Sequence, residues 1–201
     1  MLNAPRVVTR LLTDPDSAVR SAMARHCWNA EALKTHARLL ATDSEPEVRA
    51  AVASNFFFVF NHPELAKPLL SDQSPMVRAE IAKNEVTGLR FPKLLRTLFD
   101  DPDADVRAGL AENRWAAALY PNLTKKLFDD PEPQVRAALA RNEAATSLFP
   151  RLAADLFTDK SRDVRFAALD SDLAGKFPDL VEKLQEDSDK GVRESAFRLI
   201  T

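Results

Sequence analysis

The apolar positions of this chain fall in blocks, and the blocks repeat. Asp14-Pro-Asp-Ser-Ala-Val19-Arg20 returns in outline at Asp43…Val48-Arg49, Asp72…Val77-Arg78, Asp101…Val106-Arg107, Asp130…Val135-Arg136, Asp159…Val164-Arg165 and Asp187…Val192-Arg193. The step is 29 residues five times and 28 once. After each arginine, apolar residues such as Val106, Leu110 and Ala111 keep the i, i+4, i+5 spacing of a helix buried on one face. A second stripe follows, in which Leu94 and Leu98, or Leu123 and Leu127, stand four residues apart. The pattern predicts a helical hairpin that cannot bury its apolar side alone, so stacked neighbours must complete the core.

Polar punctuation marks the helix ends. The third residue of each phrase is Asp16, Glu45, Ser74, Asp103, Glu132, Ser161 or Asp189, suited to an N-cap or to the positive end of a helix dipole. Pro46, Pro75 and Pro133 follow it at the first helical position. Asn55, Asn84, Asn113 and Asn142 close the first helix, a place where asparagine tolerates a left-handed backbone. Prolines at 63, 92, 121, 150 and 178 open a shorter second helix. The register begins with a lone second helix, where Pro5 and Leu11 match, and finishes with a lone first helix around Val192. That predicts about fourteen helices and six complete units. Residues 1–201 are thus expected to form a single all-α domain, an α-α superhelix of 29-residue two-helix repeats.

Composition narrows the class. The chain has 201 residues, 45% hydrophobic and 29% charged, which suits an ordered soluble protein. Net charge is −2, whereas non-specific nucleic-acid binders carry a basic excess. The single cysteine, Cys27, excludes an intrachain disulfide and agrees with a cytoplasmic location. There is no 18-residue apolar run to cross a membrane and no signal-peptide pattern.

The Asp-x5-Arg spacing, the valine before arginine and the alanine-rich helix after it resemble HEAT-like repeats. The phrase Asp101-Pro-Asp-Ala-Asp-Val-Arg-Ala-Gly-Leu-Ala-Glu-Asn113 resembles more closely the leucine-rich-repeat variant units. This resemblance covers nearly the whole chain and implies a right-handed solenoid presenting an extended surface. The period here is longer than that of the variant repeats. The cysteine-rich iron–sulfur segment that accompanies some of them is missing, and one cysteine cannot hold a cluster.

Two recurring columns invite a structural reading. Asp43, Asp72, Asp101, Asp130 and Asp159 recur with Arg49, Arg78, Arg107, Arg136 and Arg165, and each arginine is expected to bond the aspartate of its own or the next unit. The alternative is an anion-binding arginine stripe. Asn55, Asn84, Asn113 and Asn142 are read as capping and inter-repeat hydrogen bonding.

The aromatic run Phe56-Phe57-Phe58-Val59-Phe60 is the main departure from the pattern. Phe57 aligns with Trp28, Val86, Trp115 and Ala144, a mostly apolar column read as core. Phe56 and Phe58 align with polar or small residues, and a connector between short helices has little room to bury every ring. The run either packs locally or forms a hydrophobic hot spot for a partner, and on the second reading Phe56, Phe58, Phe60, Trp28 and Trp115 are the candidate partner-binding residues. His26, His36 and His62 show no ligand spacing, so no metal, cofactor or catalytic set is assigned. A variable column (Arg25, Ser54, Lys83, Glu112, Arg141, Asp170) either confers specificity or is a solvated face.

The functional expectation is a non-catalytic scaffold that binds a protein or peptide along the solenoid face. The apolar C-terminal end, with Phe197 and Leu199, suggests self-association, another partner or a parent chain cut there. One alternative is a nucleic-acid module resembling HEAT-like DNA glycosylases, against which the charge balance argues. Another is a HEAT-like lyase, resembling the bilin lyases, or a chaperone subunit. A resemblance to the di-iron hydroxylases would need His-Glu pairs that the chain lacks.

Overall fold

The computed structural model describes residues 4–26 and 30–200, with backbone alone at 4–5 and 30–34. Every regular element among them is helical. The chain separates into two compact units, Met1–Val106 and Arg107–Thr201. The same repeat builds both.

From the phrase opened by Asp43 to the one opened by Asp159, the repeat holds three helices where the sequence pattern predicts two; in the repeat opened by Asp14 the described residues after the first helix form one helix, Ala30–Ala41. In the unit opened by Asp72 they are Pro75–Lys83, Glu85–Arg90 and Pro92–Leu95, the last running on as a 3₁₀ turn over Arg96–Asp100. In the unit opened by Asp130 they are Pro133–Ala140, Glu143–Leu148 and Pro150–Asp155. The residues expected to connect two helices are thus a helix of their own, and the asparagine column is the reason.

Asn84 does not end a helix in a left-handed conformation. Its backbone is extended (φ −65°, ψ 117°), and among the described residues no φ is positive. Its Oδ1 instead accepts the N–H of Val86 and so starts the second helix. Asn55 caps Phe58, Asn113 caps Trp115 and Ala116, and Asn142 caps Ala145 in the same way. A side-chain oxygen aimed at the second or third N–H is what a short helix needs to begin.

The other end of the amide reaches backward. Asn55 Nδ2 donates to the Ala24 carbonyl at 2.7 Å, Asn84 to Ala53 at 2.9 Å and Asn142 to Ala111 at 2.7 Å. These carbonyls lie in the last turn of the preceding repeat's first helix, where no intrahelical donor remains. One side chain therefore closes one helix and opens another. In the phrase begun by Asp159 this place belongs to Ser171, whose hydroxyl bonds Ala168 of its own unit. The helix after it shortens to Leu173–Lys176. The residue missing from the 28-residue step falls there, between Ser171 and Phe177.

Proline opens each third helix at its first position, and the residue before it is held near φ −130°. That residue is aromatic in most units. Phe149 meets Phe128 of the preceding repeat edge to face at 6.0 Å, and Phe177 meets Phe157 likewise.

The third residue of the phrase caps only where it is aspartate. Asp16, Asp103 and Asp189 accept the N–H two residues on, whereas Glu45, Ser74, Glu132 and Ser161 make no side-chain cap. The phrase-opening aspartate does the ordering instead. Asp43, Asp72, Asp130 and Asp159 each accept the N–H of that third residue and fold an Asx turn ahead of the helix.

The first helices pack side by side within each unit: Ser17–His26 on Pro46–Ser54, that on Pro75–Lys83, and Pro133–Ala140 on Arg162–Leu169. Buried alanines (Ala50, Ala51, Ala53, Ala138, Ala140, Ala167, Ala168) permit the close approach. The valine before each arginine, from Val48 to Val192, is buried too.

Asn142→Ala removes a cap and an inter-repeat bond from a buried position. Urea unfolding should show a loss of about 2 kcal/mol, whereas Asn122→Ala, at an exposed position of the helix Pro121–Leu127, should stay within about 0.5 kcal/mol. Equal effects would deny the asparagine its double role.

Candidate interaction site

Rigid joints between repeats come first, because they hold every surface column in place. Arg49 Nε and Nη2 each lie 2.8 Å from one oxygen of Asp72, in the next repeat. The same two-pronged pairing joins Arg20 to Asp43 and Arg78 to Asp101 in the first unit. In the second it joins Arg107 to Asp130, Arg136 to Asp159 and Arg165 to Asp187. Arg49 Nη1 turns inward and donates to the carbonyls of Asp43 and Ser44 in its own repeat. Asp43 is thus gripped twice, at its carboxylate by Arg20 and at its carbonyl by Arg49. A planar guanidinium with five donors can do this, and a lysine cannot.

Electrostatics follow from that geometry. Burial pushes the Asp130 carboxyl up, but the Arg107 hydrogen bonds, the Glu132 N–H and the fields of Arg107 and Arg136 outweigh it, so its pKa falls below the ordinary value. Asp43, Asp72 and Asp159 are lowered by the same balance. At Asp187 the Arg165 hydrogen bonds are the largest influence and win over burial. Hydrogen bonds to aspartate raise the guanidinium groups of Arg49, Arg78, Arg136 and Arg165 despite some desolvation. These arginines are engaged on every edge and present no stripe to an anion.

The aromatic run lies on the second helix, Phe56–Asn61, of the first unit. Phe58, read from the sequence as exposed, is fully buried. Its column also holds Thr87, Ala116 and Ala145, all buried. The column is small because it faces a tight interior, and Phe58 fills that interior against His62 at 5.4 Å. Phe57, read as core, is 37% exposed, and Trp115 in the same column is 40% exposed, whereas Val86 there is buried. Trp28 and Cys27 lie outside the described residues.

What remains at the surface is a connected cluster. Phe56 is 52% exposed and Phe60 46%. Their rings are parallel within 4° at 6.2 Å, and Phe57 meets Phe56 edge-on at 5.6 Å. Arg90 from the next repeat places its guanidinium 4.6 Å over Phe60 and donates to the Phe60 carbonyl. Exposed Leu89 adjoins Arg90 in sequence. Phe56 also lines a cleft of about 340 Å³ with Ser54, Glu80, Lys83 and Glu85. Sequence reasoning missed Phe57, Leu89 and Arg90. The signal for Arg90 was its one-repeat offset from Asn61, next to the run.

Trp115 stands on the helix Arg114–Leu119 of the second unit, where Leu119 is also exposed. Phe197, Leu199 and Ile200 are exposed on the helix Lys190–Ile200. Among the described residues, no three His, Cys, Asp or Glu side chains gather in a way that could hold a metal ion. None of the described helices is long and apolar enough to cross a membrane.

No family model matches the chain, and no curated protein matches it. Among solved structures it is similar to the designed armadillo repeat protein YIII(Dq.V1)4CPAF in complex with peptide (KR)4, at 18% identity, with 98% of each chain covered and a TM-score of 0.38. A second designed armadillo repeat protein, YIII(Dq)4CqI, is similar at 17% identity, 98% of each chain and a TM-score of 0.35.

The lowered carboxyls set the direction of the acid response. A carboxyl depressed by folding contributes stability that is present above its unfolded pKa of about 3.9 and is lost as pH falls through the folded value. Unfolding free energy should therefore hold from neutral pH to about 5 and drop below about 4. Arg136→Ala should cost about 3 kcal/mol at pH 7, because it leaves Asp159 largely buried and unmatched, and should flatten the acid drop. An unaltered acid profile in that variant, followed by urea titration, would show the pair to be inert.

Proposed function

We propose that the protein is a non-catalytic scaffold that binds a partner protein through the aromatic face of its first unit. The observation that carries this reading is the cluster of Phe56, Phe57 and Phe60, half in water on a six-residue helix. Three neighbouring exposed rings form a larger apolar patch than scattered surface residues do, and such patches mark interfaces. Aromatic side chains and arginine are also the residues that dominate binding energy. Here Arg90 already sits on Phe60, so part of the surface is ordered before any partner arrives, which lowers the entropic cost of association. The neighbouring cleft bears Glu80, Glu85 and Lys83, a polar rim around an apolar centre.

The scaffold supports the reading in a second way. The paired columns and the asparagine caps lie within the repeat joints, so the outward positions of the second helix carry little folding duty. Phe56 and Phe60 are therefore replaceable without loss of structure, and Phe58 is not.

Phe60→Ser and Phe56→Ser should leave the thermal midpoint nearly unchanged, within about 1 kcal/mol, whereas Phe58→Ser should cost about 3–5 kcal/mol. A photo-crosslinking phenylalanine analogue at position 60, in cells that make the protein, should trap one partner that Phe56→Ser abolishes. Trapping only the background set, or the same set in both variants, would overturn the reading.

A further inference from the structure

The second unit holds a cleft of different character. It has a volume of about 400 Å³ and lies between the third helix of one repeat, Pro121–Leu127, and the turn joining the second and third helices of the next. Leu148, Phe149, Pro150 and Leu152 give it an apolar lining, to which Lys125 and Arg151 add two cations. Phe149 is braced from behind by Phe128, and Pro150 fixes the backbone at the start of its helix. The apolar lining is rigid. Leu148, within it, is 49% exposed.

Neither cation is matched. Among the described residues Lys125 and Arg151 have no carboxylate partner, although every arginine in the Asp–Arg pairs has one. No acidic residue lines the cleft. We infer that this cleft binds an acidic, extended peptide segment of a partner protein, with one apolar side chain against Leu148, Phe149 and Pro150 and carboxylates on Lys125 and Arg151.

Three features fix the occupant. Two unpaired cations favour carboxylates beside the apolar contact. The cleft is at the low end of the usual size range, roughly 300–1,000 Å³ for ligand pockets, and Leu148 in its lining is half exposed. It can take one side chain of a segment that continues along the surface.

The third feature is a comparison inside the molecule. The first unit has a cleft at the same register, of about 520 Å³. Arg38 stands there in the register of Lys125, but Asn61 replaces Leu148, His62 replaces Phe149 and Glu64 replaces Arg151. Glu64 lies 3.9 Å from the His62 ring. The repeat therefore forms the cleft as a matter of geometry, and side chains choose its chemistry. Of these two clefts, the one in the second unit combines apolar lining residues with two cations and no acid.

The test is selection of short random peptides on the whole chain, followed by affinity measurement of the enriched sequences. The expected consensus is an apolar residue flanked by Asp or Glu. Its binding should weaken about tenfold or more in the double variant Lys125→Glu with Arg151→Glu, and likewise in Leu148→Asp. Phe60→Ser should leave it unchanged, which separates this cleft from the aromatic face of the first unit. All three positions in the cleft are surface residues, and circular dichroism of the variants should match the parent. A consensus without acidic residues, an acidic consensus indifferent to the double variant, or no enrichment would each overturn the assignment. Octanoate binding as tightly as the peptides would replace the peptide by a free carboxylic acid.

Discussion

An arginine that grips its own repeat by carbonyl oxygens and the next repeat by a carboxylate is a joint with little tolerance. Both edges of the guanidinium plane are engaged, as in Arg49 with Asp43 and Asp72, so the two phrases must lie at one separation and one tilt. Such a pair contributes modestly over an apolar substitute, because desolvation offsets much of its attraction. Its larger consequence is specificity of register. A one-residue slip in one repeat would leave a partly buried carboxylate without its fork. This accounts for a nearly invariant 29-residue step, and for the one shortened step falling in the second helix, away from the joint.

The asparagine caps complete the argument. A helix of six residues is too short to persist by its own hydrogen bonds, since nucleation is costly. Asn55 and Asn142 supply the first bond from outside and tie the start of that helix to the preceding repeat. The second helix is therefore held at its root, and its outward positions are free of folding constraint. That freedom lets the same column hold Phe56, Glu85, Arg114 or Glu143. Recognition can change at those positions while the frame stays the same.

The sequence makes the period plain because backbone joints recur in one register and only a few residue types can form them. It leaves open whether Arg49 pairs with Asp43 or Asp72, because either lies within reach of a long side chain. It misleads on helix number because a helix end and a helix start occupy the same residue, Asn84. Its most instructive error concerns Phe57 and Phe58. Column polarity suggests an exposed Phe58, since Thr87 and Ala116 share its place. Yet small residues mark the tightest interior as readily as an indifferent surface. Thr87 is buried because its hydroxyl donates to the Ile81 carbonyl. A column average cannot distinguish these cases; the neighbouring helix can.

Charge illustrates the same point on a larger scale. A net charge of −2 in 201 residues suggests a surface without preference. But six aspartates and six arginines cancel within the joints, and whatever a partner meets is the remainder. That remainder is uneven. Lys125 and Arg151 line an apolar cleft with no acid among its residues, whereas Arg38 in the matching cleft shares its lining with Glu64. Long-range fields sum over all charges, but a docking segment feels those within a Debye length of about 8–10 Å. In a repeat protein whose joints are ionic, partner preference must therefore be read after the paired columns are subtracted, cleft by cleft, and the whole-chain charge is a poor guide to it.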